Sequence, residues 1–199
     1  MKKVDRRIRR TRQSLKDALI SLIEEKELSA ISITDIVNRS DVNRSTFYAH
    51  FRDKEELLTC LINELLDGMI HCMRESSLQN HTKTNPVCGT SIEILQLFIY
   101  IEKHSAYFKT LMNHERVPQF MIHISQTMYN FYFKEIKTLE CEERLNQGFL
   151  ATYLSSVLAG FIYHWLVQTD MKYTSTYIAQ EYTKILTMKL LPPQFTHIE

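Results

Sequence analysis

Within the eight positions 43–50 lie six side chains able to donate or accept hydrogen bonds: Asn43, Arg44, Ser45, Thr46, Tyr48 and His50. An arginine fork can pair with guanine O6 and N7 together, while Ser, Thr and Tyr hydroxyls reach phosphate oxygens or base edges. The chemistry open to such a group is recognition of nucleic acid rather than bond breaking. Tyr48 and His50 have a second reading, as half-buried rings or caps in a small helical unit. The rest of the chain carries no Gly-rich phosphate loop, paired-carboxylate motif, nucleophile elbow or HExxH, so an enzyme is not expected. His104, His114, Glu115 and His123 match no metal-ligand spacing, and Cys60, Cys72, Cys88 and Cys141 lack a CxxC pair. Neither a metal nor another cofactor is expected, and the cysteines read as free thiols.

Something must present those six side chains on one face. Ser32 is a helix N-cap with Asp35 as the acidic half of a capping box, and Ile33, Ile36 and Val37 form the inner face of that helix. Asn43 caps the next helix through its amide oxygen, with Phe47 and Phe51 at i and i+4 pointing inward. Asp53 caps a third, with Glu56 at its N3 position. Three starts this close leave room for only two short helices, the anatomy of a helix-turn-helix whose second helix suits a DNA major groove. An earlier helix, from about Arg7 to Glu25, has one apolar stripe of Leu15, Ala18, Leu19, Leu22 and Ile23. The first 16 residues carry eight basic side chains and one acid, Asp5. Residues 1–60 hold 13 Lys+Arg against 10 Asp+Glu; the remainder holds 11 against 13. A basic end is often only solvated, but placed before a helix-turn-helix, with Arg9 and Arg10 in it, this one can neutralise phosphates or reach a minor groove.

Beyond Asp53 the pattern stays helical. Leu57, Leu58, Leu61, Leu65, Leu66, Met69, Ile70 and Met73 extend one helix for about twenty residues, which must join the head to a second unit. A polar loop follows from Arg74 to Thr90. Ser91 and Ser105 then cap two further helices, Pro118 opens a long one, another spans about Glu143 to Gln168, and the last spans about Thr174 to Leu190 before Pro192-Pro193. No segment alternates like a strand. The expected fold is all-α, with a three-helix DNA-binding head at 1–53 and a helical bundle at 54–199, about nine to ten helices in all. A chain of 199 residues, 44% hydrophobic and 24% charged, can bury such a core. Its apolar runs read as too short to cross a bilayer and its basic start lacks a following apolar block, so no membrane contact and a cytoplasmic location are expected.

From Ser32 to Leu57 the sequence resembles the TetR/AcrR family of bacterial one-component transcriptional regulators. The resemblance is carried by Ser32, Asp35-Ile36, Val42, Arg44-Ser45-Thr46, Phe47-Tyr48, His50-Phe51, Lys54 and Glu55-Glu56-Leu57. It implies a homodimer with helix-turn-helix heads and an effector-binding bundle, in which Tyr48 and Lys54 contact phosphates and Arg44, Ser45 and Thr46 face the groove. Ser32, Thr34, Asn43 and His50 complete the expected DNA-binding set. Asp41 departs from the family, standing where a glycine is usual, and must carry a left-handed backbone at some cost.

The bundle is rich in Met, Phe and Tyr, which is core material first and ligand box second. A pocket for a small apolar or aromatic effector is expected near Met69, Met73, Phe98, Phe108, Met112, Phe120, Ile124 and Tyr153. The resemblance puts a four-helix dimer seam at Tyr153, Leu154, Val157, Phe161, Trp165, Tyr177, Tyr182 and Leu186, with Gly160 allowing close approach; Trp165 can instead fill the bundle. The leading expectation is an effector-controlled repressor on a palindromic operator. The alternative is the same fold acting as an activator or coactivator under a protein partner.

Overall fold

A computed structural model describes residues 6–79, 91–113, 119–137 and 146–187. Among them are nine α-helices and no strand: α1 (Arg6–Glu25), α2 (Ile33–Ser40), α3 (Arg44–His50), α4 (Lys54–Gln79), α5 (Ser91–Lys103), α6 (Ser105–Asn113), α7 (Phe120–Lys137), α8 (Gln147–Tyr163) and α9 (Ser175–Thr187). A 3-10 turn, Leu28–Ala30, joins α1 to α2, and a π-helical turn, His164–Gln168, continues α8. Pro118, Pro192, Pro193, His114, Glu115, Cys88 and Cys141 lie outside the described residues.

Each helix of the head starts where its cap dictates. The Asp35 amide donates to Ser32 Oγ at 3.1 Å while the Ser32 amide donates to the Asp35 carboxylate at 2.8 Å, closing the box. Ser45 N–H donates to Asn43 Oδ1 at 2.9 Å, and Glu56 N–H to Asp53 Oδ1 at 2.7 Å. The Glu56 carboxylate does not reach back to its own cap residue; it accepts from the amide of Arg52 at 2.7 Å. Asp41 takes φ 53° and ψ 39°, the left-handed conformation that its missing glycine would have adopted more cheaply. Phe47 and Phe51 are buried in one core cluster with the stripe of α1.

Two boundaries differ from the sequence pattern. Helix α4 runs to Gln79, past the point where its apolar residues stop, because backbone bonding continues without a hydrophobic face. Helix α8 begins later than Glu143, at a cap the pattern missed: Asn146 Oδ1 accepts from the amides of Gly148 and Phe149 at 2.9 and 3.2 Å.

In the bundle, α5 packs between α4 and α9, and α7 packs along α8. Its centre is aromatic. Phe98 meets Trp165 edge-on at 5.5 Å and Tyr182 at 6.1 Å, and Phe108 meets Phe120 at 5.8 Å. Gln147–Gln168 corrects the expectation about apolar runs: at 22 residues, with mean hydropathy 1.4 over its most apolar 18, it is long and apolar enough to cross a bilayer. Yet 44% of those 18 residues are buried in the bundle, as befits a core helix with one face uncovered.

Candidate DNA-binding surface and regulatory bundle

Helix α3 is a seven-residue platform with one buried anchor, Phe47, and a solvent face of Arg44, Ser45 and Tyr48; Thr46 and His50 are half-buried at its margin. Tyr48 is 49% exposed, which leaves its phenol available despite an edge contact between its ring and Phe47. Arg44 does not hang free. Its guanidinium lies over the Tyr48 ring at 5.8 Å and donates to Thr34 Oγ1 at 3.3 Å and Tyr48 Oη at 3.4 Å. Thr34 on α2 therefore joins Arg44 and Tyr48 in one cluster that orders the fork before any partner arrives.

Two other members of the expected set are engaged locally. Asn43 Oδ1 accepts from both the amide and the hydroxyl of Ser45, each at 2.9 Å, so only its amide NH2 has donors to offer outward. Ser32 Oγ donates to Asp35 at 2.8 Å, and that carboxylate also pairs with Lys26 at 2.8 Å. The Lys26 ammonium and the Ser32 donors hold the Asp35 carboxyl well below the usual carboxylate range. A capping oxygen beside a permanent anion is a weak phosphate ligand, so Ser32 serves the helix start first.

Lys54 differs most from expectation. Its ammonium donates to the carbonyls of Leu28 at 2.6 Å, Ile31 at 2.7 Å and, more distantly, Ser29 at 3.3 Å. Those acceptors take all three N–H directions, tying the 3-10 turn to the start of α4 and leaving no donor for a phosphate in this arrangement.

On α1, Arg9 and Arg10 are exposed and already helical rather than part of an extended arm. Arg12 and Lys16 turn inward instead. Arg12 covers the Phe51 ring at 4.9 Å and donates to Cys60 Sγ at 3.0 Å; Lys16 is buried and pairs with Glu64 on α4. The signal was present: residues 12, 16 and 19 follow the same i, i+4, i+7 line as the apolar stripe. Arg39 pins α2 to α1 through two bonds to Glu25, each 2.8 Å, and one to Ser21 at 2.5 Å. The head also touches the bundle through α6. Gln13 donates to Tyr107 Oη at 2.7 Å, Tyr107 donates to Asp17, and Thr110 donates to Glu24 at 2.7 Å.

Of the residues expected to line an effector pocket, Met69, Met73, Phe98, Phe108, Phe120 and Ile124 are buried in the core, Met112 is half-buried, and Tyr153 is exposed on α8. A groove opens elsewhere, between α7 and α8, with a volume of about 480 Å³ and a lining of Met121, Ile122, Ser125, Gln126, Tyr129, Thr152, Ser155 and Ser156. No cluster of metal-ligating side chains exists among the described residues.

The expected seam divides in two. Leu154, Trp165 and Tyr182 are inside the protomer's own core, with Trp165 Nε1 donating to the Tyr173 carbonyl at 2.8 Å, and are unavailable to a partner. Val157, Phe161 and Leu186 are half-buried. What remains outward on α8 is Phe149, 79% exposed, with Thr152, Tyr153, Ser156, Gly160 and Tyr163, an arc about 100° wide at 100° per residue. Tyr177 on α9 is also exposed and stacks on Tyr173 at 5.0 Å.

Two family models match the chain. Residues 15–60 match bacterial regulatory proteins of the tetR family, and residues 91–188 match a transcriptional regulator C-terminal region of the TetR type. Over 195 residues the chain is 25% identical to the uncharacterized HTH-type transcriptional regulator YxbF of Bacillus subtilis (strain 168), covering 94% of this chain and 47% of that protein. It thus spans about half the length of that curated relative. Among solved structures, a putative TetR-family regulator from Syntrophomonas wolfei superposes with TM-score 0.70 at 20% identity, over 91% of this chain and 97% of the other. The regulator FadR from Bacillus subtilis in complex with stearoyl-CoA gives TM-score 0.65 at 16% identity, over 90% and 99%. These two likenesses carry the fold. With a capped helix-turn-helix head matched at one end and a helical regulatory region at the other, the chain belongs to the TetR family of transcriptional regulators.

Proposed function

We propose that this chain is a homodimeric, effector-controlled DNA-binding repressor. The observation that carries the reading is the solvent face of α3, where Arg44, Ser45 and Tyr48 stand outward on a helix anchored by Phe47 and ordered through Thr34. Two such helices, one per protomer, would enter successive major grooves about one helical turn apart, which calls for a palindromic operator. Arg9 and Arg10 would supply phosphate contacts beside them. The uncovered arc of α8, with Tyr177 of α9, supports pairing with a second copy: it exposes Phe149, Tyr153 and Tyr163 and carries no charged side chain on α8. Effector control is supported by the helical bundle itself and by the fold neighbour FadR, which was solved with stearoyl-CoA bound. An effector would act only through its differential affinity for the two head spacings.

The test is selection of duplexes from a random pool by the purified full chain, followed by titration of the winner and of scrambled DNA. A palindrome bound as two chains per site is expected. Replacing Arg44 by Ala should weaken the palindrome by about 1–3 kcal/mol while leaving scrambled DNA nearly unchanged. Absence of any salt-dependent duplex binding rejects the proposal.

A further inference from the structure

The groove between α7 and α8 lies on the opposite side of α7 from buried Ile124 and shares Thr152 and Ser156 with the uncovered arc of α8. Its volume of about 480 Å³ falls within the range of small-molecule sites. Three features of its lining define a ligand. First, Met121, Ile122 and Tyr129 supply an apolar wall, with the Tyr129 ring held parallel to Phe133 at 5.6 Å. Second, the remaining five lining residues are Ser, Thr and Gln, with no ionisable acid or base among them, so a ligand bearing a full charge would enter without a counter-ion. Third, two of the hydroxyls have already committed their single proton: Thr152 Oγ1 donates to the Gly148 carbonyl at 2.9 Å and Ser155 Oγ to the Thr152 carbonyl at 3.0 Å. Toward the groove they can only accept.

We infer that this groove is the chain's effector site and that it takes an uncharged, flat amphiphile carrying a hydrogen-bond donor. The inference rests on the regulator reading above and places its input at a definite location. Packing in the centre argues the same way, since Phe98, Phe108, Phe120 and Ile124 are fully buried, Phe108 against Phe120 and Phe98 against Trp165 and Tyr182. A ligand wedged between α7 and α8 would also act on the helix whose outer arc is proposed to meet the second copy, and so on the spacing of the heads.

Thymol fits this description as a probe; its methyl ether keeps the ring and removes the donor, and cuminate replaces the hydroxyl with a charge. Calorimetric titration of the full chain should show saturable thymol binding, at least about tenfold tighter than either analogue. Ser125→Phe, half-buried on the α7 wall of the groove and outside the arc of α8, should abolish binding with the melting temperature retained. Thr152→Val should weaken thymol several-fold and leave the methyl ether unaffected. Equal binding of thymol and its ether, no saturable thymol binding at millimolar concentration, or full affinity in Ser125→Phe overturns the inference. Duplex binding by the unliganded chain is measured separately. A chain that binds duplex but not thymol loses the groove and keeps the regulator; one that binds thymol but no duplex loses the regulator and keeps the groove as a ligand site.

Discussion

Replacing Lys54 by Met keeps the aliphatic stem and deletes the ammonium, which separates two jobs that one lysine can do. In the structure that ammonium makes two short charge-assisted bonds, 2.6 Å to Leu28 O and 2.7 Å to Ile31 O, and a longer one to Ser29 O at 3.3 Å. Leu28 O keeps a partner in the variant, the Ile31 amide at 3.2 Å, so the loss falls mainly on Ile31 O and on the missing charge. Hydrogen bonds to charged groups contribute about 1.5–3 kcal/mol each when buried; with the site partly open, a total of about 2–3 kcal/mol is expected. For a chain of this size that is a fall of about 4–12 °C in melting temperature. A phosphate-contacting lysine predicts something else: unchanged melting and a loss of about 0.9 in the slope of log K against log salt. The assay is therefore paired, with thermal denaturation followed by circular dichroism and duplex titration over a salt series well below the melting point. A lowered melting temperature with an unchanged salt slope is expected. An unchanged melting temperature with the slope reduced by one phosphate would refute the reasoning and return Lys54 to the DNA interface.

Other perturbations probe other joints. Gly68→Ala would drive its Cβ into the Tyr100 phenol, so the ring must leave its site against α4. Melting should fall, and pairing it with Tyr100→Leu should recover most of the loss; additive losses would contradict the clash. Gly160 has no atom within 4 Å of a built Cβ, so Gly160→Leu should not lower protomer stability. It should nonetheless dissociate the proposed dimer in sedimentation experiments, and an unchanged dimer would exclude Gly160 from the seam. Acid should loosen the head. Lys26 and Ser32 depress Asp35, Arg39 depresses Glu25, and the Arg52 amide and side chain depress Glu56. A carboxylate with a lowered folded pKa contributes fully above its unfolded value, about 4, and loses that contribution as pH falls through the folded one. Melting temperature should therefore drop below about pH 4, and Asp35→Asn should flatten that drop; parallel curves would remove Asp35 as a source. His104 acts in a nearer window. Burial, and secondarily Lys103, lowers its pKa, so the folded chain resists its protonation and loses stability as pH falls below about 6.5; His104→Gln should remove that part.

How legible the molecule was in its sequence depended on the range of the interaction concerned. The caps at Ser32, Asn43 and Asp53, the left-handed Asp41, the anchors Phe47 and Phe51 and the outward Arg44 and Tyr48 were readable, because each follows from a backbone group and a side chain within four residues or from helical period alone. The all-helical fold was readable for the same reason.

Long, amphipathic side chains were not, because an ammonium on a flexible stem can point to solvent or reach a distant carbonyl, and only the packed neighbour decides. Lys54 meets residues more than twenty positions away, and Arg12 and Lys16 meet Cys60 and Glu64, 48 positions on. The bundle's aromatics pose the same problem. A largely apolar helix such as α8 does not record in sequence which face goes to α7, to α9 or to the surface; packing settles it. Trp165 and Tyr182 thus went inside and Tyr153 outside, although all three read alike in sequence. Local hydrogen bonding and periodicity wrote the DNA-reading head into contiguous residues; the groove and the uncovered arc exist only where packed helices leave space between them or a face uncovered, which no single helix records.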